Sequence, residues 1–597
     1  MSRLLRLAAV ACIAPLATAC GGGTPHTAGT PSLTPAAPAA PQGVESVPSQ
    51  ALRGGLMVSV HLPLRNEAEL DGLIQRQADK NSADYHHFLT PQQFRDRYAP
   101  PAADLAAAAA ALRAQGFDAH VTSQSVLAAA PQATVEQTFG VHVRQIAQRG
   151  RTGLSLDHAA VLPQSLSKLG ATVNISRLAK HVDSKRVAKT PYVETPANRY
   201  SNVGPYWFTD LKQAYGYPAY QTVNGRGHSI GVVISSDVLD SDLALYFGHE
   251  KAPVPSIERR PVNGGAGFDP NSGDSAEASL DVQQALGSAP GAHLVLYSIP
   301  SLYDSDIMAA YTAVVDDNKV DIVNSSFGLC ELYYTAAYNG GTDYTSIIKS
   351  YHDIFRQGNA QGITFVASSG DGGAYECEDV NGTQFIKGVS NPADDTDVTA
   401  VGGTNLVTAS ISGSLNSSYV TENANFDRFD PAQGALPNEI WGSGGGISTL
   451  FSKPFYQLLV NTRSNQRTIP DISMHMGGCP VGAIQPCDPA RSSVVTAIGG
   501  NLYLLIGTSA SSPEFAGLLA VTEQTLGTRL GNANGYIYAL SAAFGSTVYR
   551  QNIPGNNGYP ATPGYNYVLG NGTPHAALFA AQPFAPLAGN PQTPSNP

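Results

Sequence analysis

The chain has 597 residues, of which 42% are hydrophobic and 14% charged, so it can form a sizeable core and is not globally disordered. Its formal net charge is -11 and Lys and Arg form no run of five or more, which makes nucleic-acid binding a poor candidate function. The length predicts several domains, or one large catalytic domain with attachments. After the N-terminal segment, no apolar run is long enough to predict a membrane-spanning helix.

Residues 1–20 have the pattern of an export signal. Arg3 and Arg6 precede an apolar stretch that is too short to span a bilayer, and small residues then lead to Cys20. The sequence around Cys20 resembles a bacterial lipoprotein cleavage box, although Ala17 stands where Leu is usual. We predict a signal peptide of the lipoprotein type with Cys20 lipidated; secretion without a lipid and no export are the alternatives.

Residues 21–45 are rich in Pro, Ala and Gly and predict a linker. Residues 46–190, the N-terminal block, predict an α+β domain. A strand is expected at Gly55 to Val60, and helices are expected at Asn66 to Gln77 and at the Ala-rich stretch from Pro101 to Gln115.

Residues 195–585, the C-terminal block, alternate apolar strand patterns with helical patterns, and residues 586–597 read as a disordered tail. Such alternation predicts an α/β domain with a doubly wound parallel sheet. The predicted strands are Ser229 to Ser235, His293 to Tyr297, Ile322 to Ser326 and Ile363 to Ser368, and the predicted helices are Ser275 to Gly287, Ile307 to Asp316 and Tyr344 to Ala360.

The charges of the chain are divided unevenly. The formal net charge is +5 for residues 51–200 and -17 for residues 201–597. A basic block before an acidic one suggests that the two attract each other; the alternative is that both are solvated surfaces.

Four cysteines lie in the C-terminal block: Cys330, Cys377, Cys479 and Cys487. An even number in an exported chain predicts two disulfides, and four cysteines allow three pairings. We favour Cys330–Cys377 and Cys479–Cys487, the latter because the two are close in sequence. A zinc site is the alternative, but no CxxC spacing supports it.

The strongest chemical signal is Gly507-Thr508-Ser509, which follows a strand-like run at Leu502 to Ile506 and precedes a helical pattern at Glu514 to Thr525. A serine there places its hydroxyl near a helix N-terminus, where free N–H groups favour a developing oxyanion. A nucleophilic serine needs a base, but no His of the C-terminal block precedes Gly-Thr as the base of a subtilisin does. Thr508 or Ser509 could alternatively be a helix cap only.

Two carboxylates can take the place of the missing His. Glu277 and Asp281 are spaced i,i+4, which puts them on one face of a helix, where such pairs tend to share a proton. Asp371 lies in Ser-Ser-Gly-Asp-Gly-Gly directly after a buried-type strand, where ligands bind in open parallel sheets. Solvated helix carboxylates and a turn residue are the plain alternatives.

Taken together, these motifs resemble the sedolisins, the serine-carboxyl peptidases that include kumamolisin-type enzymes. The order and separation of Glu277-xxx-Asp281, the Asp371 loop and GTSxxxP around Ser509 are similar to the family's pattern. Further matching stretches are Asn324 to Gly328, Thr399 to Thr404, Gly444 to Ser448 and Pro470 to Ser473, with Tyr85 to Pro91 and Val135 to Phe139 in the prosegment-like block.

The resemblance implies a subtilisin-like fold, an activation prosegment at 46–190 and peptidase activity in acid. It implies that Ser509 is the nucleophile, Glu277 its general base, Asp281 the support of that base and Asp371 the oxyanion donor. A Glu base has an ordinary pKa of about 4.3 against about 6.5 for His, so it suits acid, and Asp371 must be protonated to donate. Self-cleavage is expected between Lys180 and Tyr200.

The calcium site expected near the C-terminus of such enzymes departs from the family's pattern. Both expected Asp ligands are replaced by amides, and Ca²⁺ prefers charged oxygens, so we expect weak binding or none. The remaining candidates are Gln551, Asn552, Thr562, Gly564 and Asn566.

The sequence therefore predicts a secreted or lipid-anchored acid endopeptidase made as a proenzyme. We expect a monomer that acts on proteins or peptides, is inhibited by its own prosegment and uses no organic cofactor. A catalytically inactive surface-binding protein on the same fold is the alternative, and a His-dependent subtilase is a third interpretation.

Overall fold

The structure is a computed structural model. It describes residues 45–46, 55–148, 151–175, 179–182, 184–187, 190–193, 204–219, 221–410, 417–479, 484–485 and 492–581. The predicted signal peptide, the predicted linker up to residue 44 and the predicted tail lie outside the described residues. None of the helices in these ranges combines the length and the apolar character that a membrane crossing requires.

The N-terminal block is built on a four-stranded antiparallel sheet. In chain order its elements are β1 (Leu56–His61), α1 (Glu67–Ala78), α2 (Pro91–Arg97), α3 (Ala102–Ala114), β2 (Asp118–Val121), β3 (Ser125–Ala130), α4 (Gln132–Phe139), β4 (Val143–Gln148), β5 (Arg151–Leu156), α5 (Gln164–Ser167) and β6 (Thr172–Ile175). The sheet has the order β2-β3-β1-β6, and β4 lies between β5 and the short strand Glu45–Ser46 in a separate three-stranded antiparallel sheet. The expected strand and helices are present, with ends shifted by one or two residues.

The C-terminal block follows two short strands, β7 (His181–Val182) and β8 (Lys185–Arg186). Its main elements are α6 (Phe208–Tyr215), β9 (Ser229–Ile234), α7 (Asp240–His249), β10 (Ile257–Arg259), α8 (Gly273–Ser288), β11 (His293–Ser298), α9 (Asp304–Asp317), β12 (Ile322–Ser325), β13 (Phe327–Cys330), α10 (Thr345–Ala360), β14 (Thr364–Ser368), β15 (Val398–Ser410), β16 (Ser417–Asn425), β17 (Ile472–His475), β18 (Val494–Ile498), β19 (Asn501–Ile506), α11 (Thr508–Leu526), α12 (Asn534–Phe544) and α13 (Ala576–Ala581). Shorter strands of this block are Cys377–Glu378, Phe385–Ile386, Ser390–Asn391, Asp427–Phe429, Ile440–Trp441, Gly446–Ser452, Gln466–Ile469, Ile484–Gln485, Tyr549–Arg550, Gly555–Asn556 and Thr573–Pro574.

A parallel sheet forms the centre of the C-terminal block. Its order is β10-β11-β9-β12-β14-β15, and all of these neighbours are parallel. β15 also pairs with β17 in parallel and with β16 antiparallel. Helices α8 and α11 pack on each other and on this sheet, as do α9 and α10. Strands β12 and β14 are buried along their whole length, as expected when helices cover a parallel sheet.

The predicted strands and helices of this block agree with the structure to within three residues, but α11 begins at Thr508 rather than near Glu514. The earlier start has a local cause. Gly507 has φ +142°, a conformation that side chains disfavour, and it turns the chain from β19 directly into the helix. A carboxylate of Asp371 then accepts the N–H of Thr508, so the first helical turn is satisfied without a cap from the preceding residue.

The two blocks meet where α1 packs on α10. Arg356 of α10 is buried and its guanidinium reaches Glu67 at 3.0 Å and Asp71 at 2.7 Å, both on α1. Lys349 also lies 3.1 Å from Glu67. In these pairs the acidic groups belong to the N-terminal block, whereas at Lys180 the basic group does, with its Nζ 3.5 Å from Asp304 Oδ1. Net charge sums over the whole surface and does not locate a contact, so the suggested attraction between the two blocks stays a prediction.

Candidate active site

Ser509 lies in the first turn of α11, immediately after β19 and Gly507. Its side chain is buried, and no described group forms a hydrogen bond to its Oγ. The strand-to-helix turn is held because the N–H of Gly507 donates to Met476 O at 2.8 Å. The result is a serine hydroxyl at the positive end of a 19-residue helix, where an oxyanion is favoured.

Asp371 follows β14 and lies beside the start of α11. Its Oδ1 accepts hydrogen bonds from Thr508 N at 2.7 Å and from Thr508 Oγ1 at 2.9 Å. Gly370 has φ +105°, and a Cβ there would lie 2.3 Å from Glu376 Oε1, so the close fit of this loop requires glycine. Because Oδ1 already accepts two donors, a proton on this carboxyl would lie on Oδ2.

Glu277 and Asp281 lie in the middle of α8, which begins where Ser272 Oγ accepts the N–H of Ser275. Both carboxylates are fully buried. Ser326 Oγ, directly after β12, donates to Asp281 Oδ1 at 2.6 Å. A hydrogen bond to an ionised carboxylate favours the charged form, so Ser326 helps to keep Asp281 an acceptor.

A chain of hydrogen bonds joins the helix of Ser509 to the helix of the two carboxylates. Ser512 Oγ donates to Asn324 Oδ1 at 2.7 Å, Asn324 Nδ2 donates to Ser326 Oγ at 3.1 Å, and Ser326 donates to Asp281. In the sequence, Asn324 to Gly328 is only a stretch that matches the sedolisin pattern, and it predicts no role in the site. The polar run Asn-Ser-Ser at the end of an apolar strand is the signal that could have predicted this role.

The segment between the two blocks crosses this site. β7 pairs antiparallel with β13, with Val182 opposite Phe327, and β8 pairs antiparallel with β19, with Lys185 opposite Ile506. Between them the backbone N–H of Ser184 donates to Glu277 Oε2 at 3.1 Å. The described parts of this segment, β7 and β8, are therefore held as strands against β13 and β19, next to the candidate active site.

The histidines of the C-terminal block do not supply a base. His475 lies near α11, but its ring nitrogens contact Leu406 N at 3.2 Å and Ser492 O at 2.7 Å, and burial lowers its pKa to about 4. His228 is paired with Asp321 and Glu523, and His352 with Asp395. Among the described residues no imidazole bonds to Ser509, which argues against a His-dependent subtilase.

A disulfide lies at the edge of the same cleft. Cys330, the last residue of β13, is bonded to Cys377, the pairing favoured from the sequence. β13 is the strand that pairs with β7, so the disulfide anchors one wall of the cleft. Cys479 is buried. Cys487 lies outside the described residues, so the pairing of these two remains a prediction.

The candidate calcium residues are joined to each other by hydrogen bonds that do not suit a cation. The amide nitrogen of Asn566 donates to Thr562 O at 2.8 Å and to Gly564 O at 3.2 Å. Gln551 also directs its amide nitrogen inward, to the backbone oxygen of Asn571 at 3.3 Å. Thr562 O and Gly564 O, two of the carbonyl oxygens that could bind Ca²⁺, thus accept N–H groups, which supports the expectation of weak calcium binding or none.

Comparisons with known proteins agree with this geometry. Residues 46–177 match the family described as "Pro-kumamolisin, activation domain", and residues 262–534 match the subtilase family. The chain is 28% identical to sedolisin of Pseudomonas sp. (strain 101) over 531 residues, which cover 86% of this chain and 83% of that protein. It is 27% identical to kumamolisin of Bacillus sp. (strain MN-32) over 564 residues, 89% of this chain and 93% of that one.

A solved structure is also similar. Pseudomonas sedolisin, a serine-carboxyl proteinase complexed with two molecules of pseudo-iodotyrostatin, aligns with a TM-score of 0.52 and 26% identity over 63% of this chain and 96% of that chain. The fold and the matches define a serine-type peptidase with a subtilisin-like domain behind an activation domain. The chain is similar to the sedolisins over both blocks, and these matches support a proteolytic proenzyme. The N-terminal block is hereafter called the prosegment and the C-terminal block the peptidase domain.

Proposed function

We propose that the protein is an exported endopeptidase that works in acid and first cleaves its own chain at the Asp183–Ser184 bond. The observation that carries this proposal is the hydrogen bond from the Ser184 N–H to Glu277 Oε2. In peptide hydrolysis the leaving group is the nitrogen of the residue after the cleaved bond, and a general acid must reach that nitrogen. The contact between Ser184 N and Glu277 supports the assignment of that proton transfer to Glu277.

The proposed reaction uses four side chains. Ser509 Oγ attacks the carbonyl carbon while Glu277 accepts its proton, and Asp281 supports Glu277 on the same face of α8. The oxyanion accepts a hydrogen bond from protonated Asp371, whose Oδ1 is held by Thr508. Glu277 then gives its proton to the leaving nitrogen, the acyl-enzyme forms on Ser509, and water releases it. Acid supplies the proton on Asp371 that the oxyanion requires.

Cleavage within a chain, rather than removal of a terminal peptide, is favoured by the path of the segment. The chain is paired with the peptidase domain on both sides of Ser184, through β7 and through β8. A substrate that follows this path continues in both directions past the cleaved bond. We therefore propose endopeptidase activity on proteins and peptides by a monomer.

Export through residues 1–20 and lipidation of Cys20 are part of the proposal, because the fold is that of a proenzyme and the signal pattern precedes it. A lipid on Cys20 would remain with the prosegment after cleavage. The peptidase domain would then leave the membrane unless it stayed bound to the prosegment.

The test is acidification of the purified proenzyme, followed by N-terminal sequencing and hydrolysis of denatured protein from about pH 2.5 to 8. We expect a new N-terminus at Ser184 and activity that peaks in acid. Ser509→Ala should abolish both, by a factor on the order of 10⁶ for turnover. Ser511→Ala is the matched control, because its hydroxyl donates to the backbone oxygen of His475 and should leave activity unchanged. Processed, folded protein without activity at any pH would favour the surface-binding alternative.

A further inference from the structure

Lys180 occupies a buried pocket at one end of the segment that crosses the active site. Its side chain is fully buried, and Nζ donates to Tyr334 Oη at 2.8 Å and to Asn391 Oδ1 at 3.0 Å. Asp304 Oδ1 lies 3.5 Å away. The ammonium group also lies 5.1 Å from the ring centre of Tyr334 and 5.0 Å from that of Tyr351, within range of a cation–π contact.

The walls of this pocket belong entirely to the peptidase domain, and they are positioned by bonds among themselves. Asp304 Oδ1 accepts hydrogen bonds from Tyr334 Oη at 2.8 Å and from Tyr351 Oη at 2.9 Å. Asn391 Nδ2 donates to the buried Asp394 at 2.9 Å. When the prosegment leaves, this arrangement of oxygen atoms and ring faces stays with the peptidase and lacks only its cation.

The position of the pocket along the cleft follows from the backbone. The N–H of Lys180 donates to Leu302 O at 2.9 Å, and the next two residues form β7 against β13. Ser184 lies at Glu277. Counting back from the bond that precedes Ser184 N, Lys180 is the fourth residue on the side that becomes the acyl group.

We infer that this pocket is a substrate subsite of the mature peptidase, which selects polypeptides with Lys at the fourth residue before the cleaved bond. The inference rests on the proposed function, because the count of residues depends on Glu277 serving Ser184 N. The prosegment would then inhibit by presenting the side chain that the enzyme prefers in a substrate.

The chemistry of the pocket favours a charged amine over an apolar chain of the same length. An aliphatic side chain would leave Tyr334 Oη and Asn391 Oδ1 without their donor, and a buried polar group without a partner is costly. Burial by itself lowers the pKa of Lys180, and the carboxylates of Asp304 and Asp394 oppose that effect. By contrast Lys185, on the other side of the cleaved bond, is exposed, and its Nζ has a long 3.5 Å contact with Gln485 Oε1 and cation–π contacts with Phe429 and Trp441, so its position should discriminate less.

The test compares peptides with the sequence of residues 179–187 and a quenched fluorophore as substrates of the acid-processed enzyme. The Lys180 position is occupied by Lys or by norleucine, and a third peptide carries norleucine at the Lys185 position instead. Mass spectrometry confirms the cleaved bond. We expect kcat/KM to fall by on the order of tenfold or more for norleucine at the first position. Norleucine at the second position should change kcat/KM by less than about threefold.

Two variants attribute the preference to the pocket. Tyr334→Phe removes the acceptor at 2.8 Å but keeps the ring, and should reduce the ratio of kcat/KM for Lys over norleucine severalfold. Tyr333→Phe is the matched control, because its hydroxyl accepts the N–H of Glu378, and it should leave the ratio unchanged.

The outcomes separate this inference from the proposed function. An active enzyme that cleaves the Lys and norleucine peptides equally well overturns the subsite and leaves the proposed function intact. Cleavage that is the same in wild type and Ser509→Ala overturns the proposed function, and the subsite assignment with it.

Discussion

The backbone N–H of Ser184 donates a 3.1 Å hydrogen bond to Glu277 Oε2, so the prosegment and the helix of the candidate base are joined across 93 residues of sequence. This bond places a peptide nitrogen, rather than a side chain, at the carboxylate. In the proposed mechanism, the leaving nitrogen of a cleaved peptide bond occupies this position. The hydrogen bond therefore supports a segment that is bound as a substrate would be, rather than one that only covers the cleft.

Ser184→Pro should block cleavage at the Asp183–Ser184 bond. Proline has no N–H, so the hydrogen bond to Glu277 is lost, and the ring disturbs the extended path of the segment. We expect processing at least about tenfold slower, with any product cut elsewhere, as read by N-terminal sequencing over time. Ser184→Ala keeps the N–H and should process like wild type. Unchanged cutting before a proline would contradict the assignment of this bond.

Ser326→Ala should weaken catalysis without affecting the nucleophile directly. Its hydroxyl donates to Asp281 Oδ1 at 2.6 Å, and loss of that donor raises the pKa of a carboxylate. We expect kcat to fall roughly tenfold and the acidic limb of the rate profile to move to higher pH. Ser325→Ala is the control, since the Ser325 hydroxyl bonds with Tyr311. A lower kcat with an unshifted profile would indicate a merely structural role for Ser326.

Glu67→Gln should let the proenzyme mature at a higher pH than wild type. Burial alone would raise the pKa of the Glu67 carboxyl, but hydrogen bonds from Arg356 and Lys349 outweigh it and lower the pKa. Because this pKa is lowered, the ion pairs of Glu67 with Arg356 and Lys349 stabilise the contact between prosegment and peptidase domain at pH values above the ordinary pKa of Glu. That stabilisation is lost as pH falls through the lowered pKa. The variant lacks the pair at every pH.

The measurement for Glu67→Gln is the fraction matured in a fixed time as a function of pH. We expect a rate increase of less than about fivefold near neutral pH, because Glu67 is partly exposed. Glu69→Gln lies on the same helix but pairs with Arg76 and Arg97 inside the prosegment, so its profile should match wild type. A shift of equal size in both variants would mean that charge at the interface is not the cause.

Glu514→Gln should stabilise the protein more at pH 7 than at pH 4. The Glu514 side chain is fully buried in α11; burial first, and then the neighbouring Glu422, raise its pKa well above the ordinary value. The folded chain favours the protonated form of Glu514. The stabilisation of the folded chain that results is complete below the pKa that Glu514 has in the unfolded chain, and it is lost as pH rises through the pKa that Glu514 has in the folded chain.

The measurement for Glu514→Gln is the difference in Tm between variant and wild type at the two pH values. Each kcal/mol corresponds to roughly 2–4 °C in a domain of 150–250 residues, and less in a larger one, so a difference of a few degrees is expected at pH 7. An equal difference at both pH values would show that the pKa of Glu514 is not raised in the folded chain relative to the unfolded chain.

A chelator should leave the Tm unchanged, because Asn566 holds its loop with an amide where a calcium site would need a carboxylate. Asn566→Asp sharpens this test: it removes the N–H donors to Thr562 O and Gly564 O and supplies a charged ligand. We expect the variant to be less stable than wild type without calcium and to regain Tm as calcium is added. A large drop in wild-type Tm with chelator would refute the expectation that this loop binds calcium weakly or not at all.

Much of the fold could be predicted from the sequence because its signals are local. Apolar runs and helical periods predicted β9, β11, β12, β14, α8 and α10, with differences of no more than two residues at either end. The candidate site was predicted from motif order, and α8 and the turns before Thr508 and after β14 bring those motifs near one another.

What could not be predicted depends on contacts between distant parts of the chain. No period or motif indicates that Ser184 reaches Glu277, or that Lys180 reaches Tyr334 across 154 residues. The ion pairs between α1 and α10 could not be predicted for the same reason, since four individual side chains form them and the net charge of whole blocks does not locate them.

The intact backbone between Lys180 and Ser184 has a consequence for dilution. While the prosegment and the peptidase domain belong to one chain, the short segment that links them sets the effective concentration of each for the other near the millimolar range. Protonation of Glu67 alone therefore does little to separate them. Once the tether is cut, the same ion pairs and the same buried lysine must act at the actual protein concentration. An acidic but crowded envelope would keep the halves together, and release into a large volume would complete activation.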